Sequence, residues 1–307
     1  MRATMTVASC TAPPTDRQRP TDEQLGHLAT RARELILRTA HQAGAGHVGG
    51  SLSAADLLVT LYFDELRIDP ARPAAPERDR FILSKGHCAL GLYAVLAMRG
   101  YFDVAELADF DKGGSRLQMH PDMTKLPGVE MSTGSLGQGL SAGVGMALGA
   151  RLGGSASAPD SRTYVLLGDG ELQEGMTWEA AHVAPRYRLG HLVAVLDHNG
   201  LQQYGWPRGA DDRGDRRDPW AGVDLRATFT GLGWRVLEID GNDIAAIRAA
   251  FAEAGQAEAI DRPTMILATT RKGHGVSFAE MTIKWHTGAP NDEQLAAALA
   301  ELGGVAE

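Results

Sequence analysis

Residues 163–175, TYVLLGDGELQEG, and their echo at 191–202, HLVAVLDHNGLQ, decide the fold. Each opens with an unbroken apolar run and closes in a polar turn punctuated by glycine. Continuous apolar runs of this length read as strands buried on both faces. RFILS at 80–84, WRVLEID at 234–240 and TMILATT at 264–270 have the same character. Helical patterns lie between them, at 174–188, near 223–232 and at 243–254. Strand and helix in alternation predict an α/β chain: a doubly wound, mostly parallel sheet flanked by helices.

Upstream of this core the same reading continues. Apolar Leu25, Leu28, Ala32, Leu35 and Ile36 place an amphipathic helix over about 21–42. The glycine-rich link GAGHVGGS follows at 44–51, and Ser53 is expected to cap a second helix running through Leu57, Leu61 and Leu66. Pro70, Pro73 and Pro76 mark a loop, and an apolar helix is predicted from Cys88 to Met98. A long polar connection, 111–134, leads to a helix over 136–152 that carries Gly139, Gly143, Gly145 and Gly149. Each glycine costs such a helix about 0.5–1 kcal/mol relative to alanine. Several together predict that something large lies against its backbone. Residues 1–20 read as a disordered tail and 21–307 as one domain.

Composition narrows the function. Of 307 residues, 37 are glycine, about 12% against an average near 7%, with no repeat period. Thirty basic against thirty-eight acidic residues give a net charge of −8, and no Lys/Arg run marks a nucleic-acid footprint. No stretch approaches the roughly 20 apolar residues of a membrane span, and the first residues lack the apolar segment of a secretory signal. Cys10 and Cys88 offer no disulfide framework. The expectation is a reduced, cytoplasmic chain.

In open α/β sheets ligands bind beyond the carboxyl ends of the strands, where the polar residues of this sequence gather. Gly168-Asp169-Gly170-Glu171 ends one strand, and Asn199-Gly200-Leu201 follows the next. Either turn alone is commonplace. At the ends of successive strands, a carboxylate, an amide oxygen and a backbone carbonyl also form a hard oxygen set suited to Mg²⁺ or Ca²⁺. Gly168 and Gly170 would admit a diphosphate close to the chain. Of ten histidines, His27, His41, His182, His191 and His198 read as structural. His47, His87, His120 and His286 differ, because each sits in a Gly/Pro-rich loop context (GAGHVGG, SKGHC, MHPDM, WHTG), where side chains are usually held for function.

GDGELQEGMTWEAA followed by LDHNGLQ resembles the diphosphate-and-metal motif of thiamine diphosphate enzymes. GAGHVGGSLSAADLLVTLYF, RDRFILSKGHCALGLYAVL, MHPDMTKLPGVEMSTGSLGQGLS and TTRKGHGVSF through KWHTGAP narrow the resemblance to transketolase, in matching order over about residues 21–290. The resemblance is to the N-terminal, diphosphate-binding subunit of a split transketolase. It implies that Asp169, Asn199 and the Leu201 carbonyl hold Mg²⁺, for which Ca²⁺ or Mn²⁺ could substitute. It implies cofactor contacts from Gly168, Gly170, Glu171 and Asn199, and diphosphate-neutralising charge from Lys85 and Lys272. Gly134, Ser135 and Leu136 would border the aminopyrimidine; Ser135 departs from the Gly-Pro-Leu common in the family. His47, His120 and His286 would line the substrate channel, His87 would lie by the thiazolium, and His286 would also touch the diphosphate.

Ketol transfer between a ketose, or its phosphate, and an aldehyde needs protons moved near neutral pH, which suits imidazole. By the same resemblance, the glutamate that activates the cofactor and the residues that bind a sugar phosphate belong to a pyrimidine-binding domain. That domain is expected on a partner subunit, in an α2β2 assembly, with the Gly139–Gly143 helix and the 134–136 loop as contact surfaces. A deoxyxylulose-phosphate synthase-like enzyme and a non-catalytic protein that kept the fold are the alternatives. The absence of G-x-G-x-x-G after the first strand argues against a dinucleotide-binding protein.

Overall fold

The computed structural model describes residues 19–153, 161–203, 220, 222–256 and 261–303. The tail reading falls mostly outside these residues, as does Cys10. Five strands form one sheet: β1 (Arg80–Leu83), β2 (Thr163–Gly168), β3 (Leu192–His198), β4 (Arg235–Asp240) and β5 (Thr264–Thr269). Their order is β1-β2-β3-β5-β4 and every pairing is parallel.

The period-2 alternation of strand side chains sorts the core into two layers. Phe81, Leu83, Tyr164, Leu166, Val193, Val195 and Ile266 face one side. There they meet α1 (Asp22–Ala43), α3 (Ala55–Thr60), α4 (Ala89–Arg99) and α8 (Ile244–Ala254). Ile82, Val165, Leu167, Ala194, Leu196 and Met265 face the other. These pack on α5 (Gln138–Leu152), α6 (Gly175–Arg186) and α7 (Leu225–Leu232). The sheet is thus covered on both faces, as its unbroken apolar strands require. No helix among the described residues is long and apolar enough to cross a membrane.

Several expectations change. WRVLEID becomes β4, an edge strand in which Glu238 and Asp240 are exposed. It is therefore not buried on both faces, and its charges protect a free edge from further pairing. Ser53 caps nothing: it ends α2 (Val48–Ser53), a short helix formed from the second half of the expected link. Its hydroxyl turns inward to Asp197 instead, at 2.7 Å. The glycine-rich α5 does lie against something large, namely its own sheet. A Cβ at Gly139 would stand 2.2 Å from Ser84 Oγ, and one at Gly143 would stand 2.5 Å from Val165 Cγ2. These two glycines are occupied by the chain's own strands rather than presented to a partner. Gly145 and Gly149 meet nothing within 4 Å. The last helix, α9 (Asp292–Glu301), adds to the expected elements, and Asn291 and Gln294 form the capping box that announces it.

Candidate functional site

Beyond the carboxyl ends of β1, β2, β3 and β5 opens a cleft of about 400 Å³. Its lining includes His47, Lys85, His87, His120, Gly134, Leu136, Gly168 to Glu171, Asn199, Leu201, Lys272 and His286. Of the site residues expected from sequence, only Ser135 is not part of that lining; it is exposed beside it.

The floor is built from two strand ends. β2 and β3 are adjacent and parallel, with Gly168 paired to Asp197, so Asp169 and Asn199 leave neighbouring strand ends one residue out of register. Asp169 accepts hydrogen bonds from Gly170 N at 2.8 Å and Gly200 N at 2.7 Å, while Trp220 Nε1 donates to its backbone carbonyl at 2.7 Å. Asn199 Oδ1 accepts from Leu201 N at 3.2 Å, and the Leu201 carbonyl accepts from Lys272 Nζ at 3.1 Å. Burial, and then the nearby Asp197 carboxylate, raises the Asp169 carboxyl to about 6. A divalent cation beside it would hold it ionised. Among the described residues no three His, Cys, Asp or Glu side chains converge as metal ligands. The donors available here are one carboxylate, one amide and one carbonyl, all hard oxygen.

Two buried lysines flank this floor. Burial works against charge on Lys85, but its ion pair with Asp197 overrides that and holds it above the ordinary lysine range. Its side chain runs beneath Gly168, where an added Cβ would lie 3.7–4.0 Å from Lys85 carbons. Burial lowers Lys272 to about 8, and its ammonium lies 2.8 Å from His286 Nδ1. Glu171 turns its carboxylate into the wall. It accepts from Ser84 Oγ at 2.5 Å, Gly137 N at 2.9 Å and Gly168 N at 3.1 Å, tying three segments together.

The opposite wall is imidazole. His47 lies 5.4, 5.7 and 5.5 Å, centroid to centroid, from His87, His120 and His286, and His87 stacks on His286 at 5.2 Å. These four rings come from four separate segments, His87 and His286 from short 3-10 turns. Burial first, then neighbouring positive groups, lowers His47 to about 4 and His286 to about 3, and burial holds His87 well down too. The cluster is therefore uncharged at neutral pH. His47 Nδ1 is buried without a hydrogen-bond partner, a polar atom left for a bound molecule to satisfy. Close approach is built in by glycine. A Cβ on Gly50 would stand 2.7 Å from Cys88 Sγ, and one on Gly134, at φ 138°, would stand 2.7 Å from the His120 ring.

Three buried residues of this network are not among the site residues expected from sequence: Asp197, Ser53 and Thr270. In the sequence Asp197 is simply the end of an apolar strand. The available signal is a carboxylate inside a run buried on both faces, which always needs a partner.

Residues 26–306 match the family described as "Transketolase, thiamine diphosphate binding domain". The chain is 41% identical to the 6-deoxy-6-sulfo-D-fructose transketolase subunit SqwG of Clostridium sp. (strain MSTE9), covering 91% of this chain and 96% of that one. It is 38% identical to an apulose-4-phosphate transketolase subunit of Phocaeicola vulgatus, covering 91% and 94%. Among solved structures, transketolase from Pichia stipitis in complex with sedoheptulose-7-phosphate superposes with a TM-score of 0.82 at 32% identity. That superposition covers 91% of this chain but 41% of the other, so the chain spans well under half of the longer transketolases it matches. With sequence, fold and cleft in agreement, the chain belongs to the transketolase family, as its thiamine diphosphate binding domain.

Proposed function

We propose that this chain, over residues 21–307, is the diphosphate-and-metal half of a two-chain, cytoplasmic transketolase that moves a two-carbon ketol unit from a ketose or ketose phosphate to an aldehyde. The observation that carries this reading is one cleft with an oxygen donor set and two lysines on its floor and four neutral imidazoles on its wall. Thiamine diphosphate, when bound, supplies the carbon nucleophile and the electron sink for cleaving the bond beside the ketose carbonyl. The chain supplies the rest. Asp169, Asn199 and the Leu201 carbonyl hold Mg²⁺, or Ca²⁺ or Mn²⁺ in its place. Gly168 and Gly170 admit the diphosphate, and Lys85 and Lys272 offset the charge left over by one divalent ion. Gly134, Ser135 and Leu136 would border the aminopyrimidine, and Glu171 ties the adjoining Gly137 to Ser84.

His87 would stand beside the thiazolium, and His286 would reach the diphosphate as well as the channel. His47, His120 and His286 exchange protons with substrate hydroxyl and carbonyl oxygens. Held uncharged, each can accept a proton from substrate and return that proton once it carries it. A partner subunit with the pyrimidine-binding domain brings the activating glutamate, in an α2β2 complex. The names of the subunit-sized relatives support a partner and favour transketolase over a synthase-like activity. Asp169→Ala tests the reading. Calorimetry on the assembled enzyme should show thiamine diphosphate affinity falling at least tenfold, about 1.4 kcal/mol. Unchanged affinity would refute the assignment.

A further inference from the structure

Asp197 ends an apolar strand at the centre of the sheet, paired in register with Gly168 on one side and Ala268 on the other. It is wholly buried. A side chain in this place needs no charge to fill its space, and burying a carboxylate is costly unless every lone pair is met. Here both carboxylate oxygens are met, by donors from four segments. Lys85 Nζ and Ser53 Oγ donate to Oδ2, the latter at 2.7 Å, Thr270 Oγ1 donates to Oδ1, and Asn199 Nδ2 lies 3.3 Å from Oδ2. Two of the four, Lys85 and Asn199, line the cleft itself.

We propose that Asp197 is the positioning residue of this site: it sets which end of the Asn199 amide faces the metal and where Lys85 holds its charge. This rests on the reading that Asp169, Asn199 and Leu201 bind the cation. A carboxylate accepts and cannot donate, so the Asn199 atom turned toward Asp197 is the NH₂ group. The Ser53 hydroxyl, 3.4 Å from the same nitrogen, reinforces that choice. The carbonyl oxygen, the end of an amide that ligates a hard cation, therefore faces away from Asp197, toward Leu201 N and the cleft. The same carboxylate anchors Lys85 beneath the Gly168 turn. Asp197 acts on the cation through Asn199, without touching it.

The test measures the Mg²⁺ concentration for half-maximal thiamine diphosphate binding, by calorimetry, on the two-chain enzyme purified through a tag on this chain, alongside its melting temperature. Asp197→Asn keeps the shape but offers Asn199 an amide whose NH₂ can face it. The Mg²⁺ requirement should rise at least tenfold. Adding Asn199→Asp should restore it to within about threefold of wild type, because a carboxylate has no wrong end to present. If Asp197→Asn leaves Lys85 unpaired and the chain does not fold, Lys85→Met/Asp197→Asn removes both buried charges; because Lys85 itself offsets diphosphate charge, this variant is compared only with the same variant carrying Asn199→Asp, which should lower its Mg²⁺ requirement at least tenfold. An unchanged Mg²⁺ requirement in a folded Asp197 variant overturns the proposal. So does a raised requirement that Asn199→Asp does not rescue, since that effect would be general loosening. Asp169→Ala run in parallel separates the two readings: if it leaves binding intact, the metal site itself is refuted and this inference falls with it.

Discussion

His120 stands at the exposed rim of the cleft, against Gly134, and contributes little to the core. His120→Ala should lower ketol transfer at least ~100-fold, the low end for loss of a proton-transferring group. The melting temperature should stay within a few degrees; activity that falls only in step with folding would make His120 structural. His47 and His286 carry a different expectation. Burial and nearby positive groups hold them to about 4 and about 3, whereas an unfolded imidazole titrates near 6.5. Between those values the unfolded chain binds more protons, so these two histidines lose stability for the fold as pH falls from about 6.5 toward 3. Asp169, raised to about 6, works with the opposite sign. The difference between wild type and His47→Gln/His286→Gln isolates the histidines. The variant's melting temperature should decline less between pH 7 and pH 5, and an equal or steeper decline would contradict the pKa assignment. Asp169, Asn199 and the four loop histidines are legible in the sequence because turns after buried strands and glycine-rich loops hold such residues for ligands. Asp197 is not. Its role depends on which neighbours the crossovers bring to it, and three of its four partners lie 73 to 144 residues away.

At the scale of elements, α5 shows what a glycine pattern can and cannot say. Four glycines in one helix announce close packing without direction. In the structure Gly139 and Gly143 press on Ser84 and Val165, while Gly145 and Gly149 open outward. Gly139→Ala should destabilise the chain by about 1–3 kcal/mol through overpacking. Gly145→Ala should stabilise it by about 0.5–1 kcal/mol through helix propensity. Urea unfolding of the two variants checks this, and equal effects would place the helix the wrong way round. The strands, the helices α1 and α3 to α8 and the parallel alternation are readable because buried apolar runs and helical periods are local signals. The edge position of β4 is not, since WRVLEID is nearly as apolar as its neighbours and only sheet order exposes Glu238. α2 reads as a linker because His-Val-Gly-Gly has poor helix propensity; close packing of Gly49 on the Trp285 backbone and of Gly50 on Cys88 overrides it.

For the whole molecule, the cleft is walled by one chain's floor and histidines, and the proposed activity requires a second chain to close it. The sheet, its two helical layers and the oxygen donor set are present within the described residues. Subunit-sized relatives are covered to 92–96% by this chain, against 41% for the longer transketolase of Pichia stipitis. The proposed activity therefore depends on that second chain. Its most direct test is a ketol-transfer assay with excess thiamine diphosphate and Mg²⁺, run on the purified 307-residue chain alone and after addition of its pyrimidine-domain partner. The expected result is no transfer by the chain alone and turnover once the partner is added. Measurable ketol transfer by the isolated chain would contradict it.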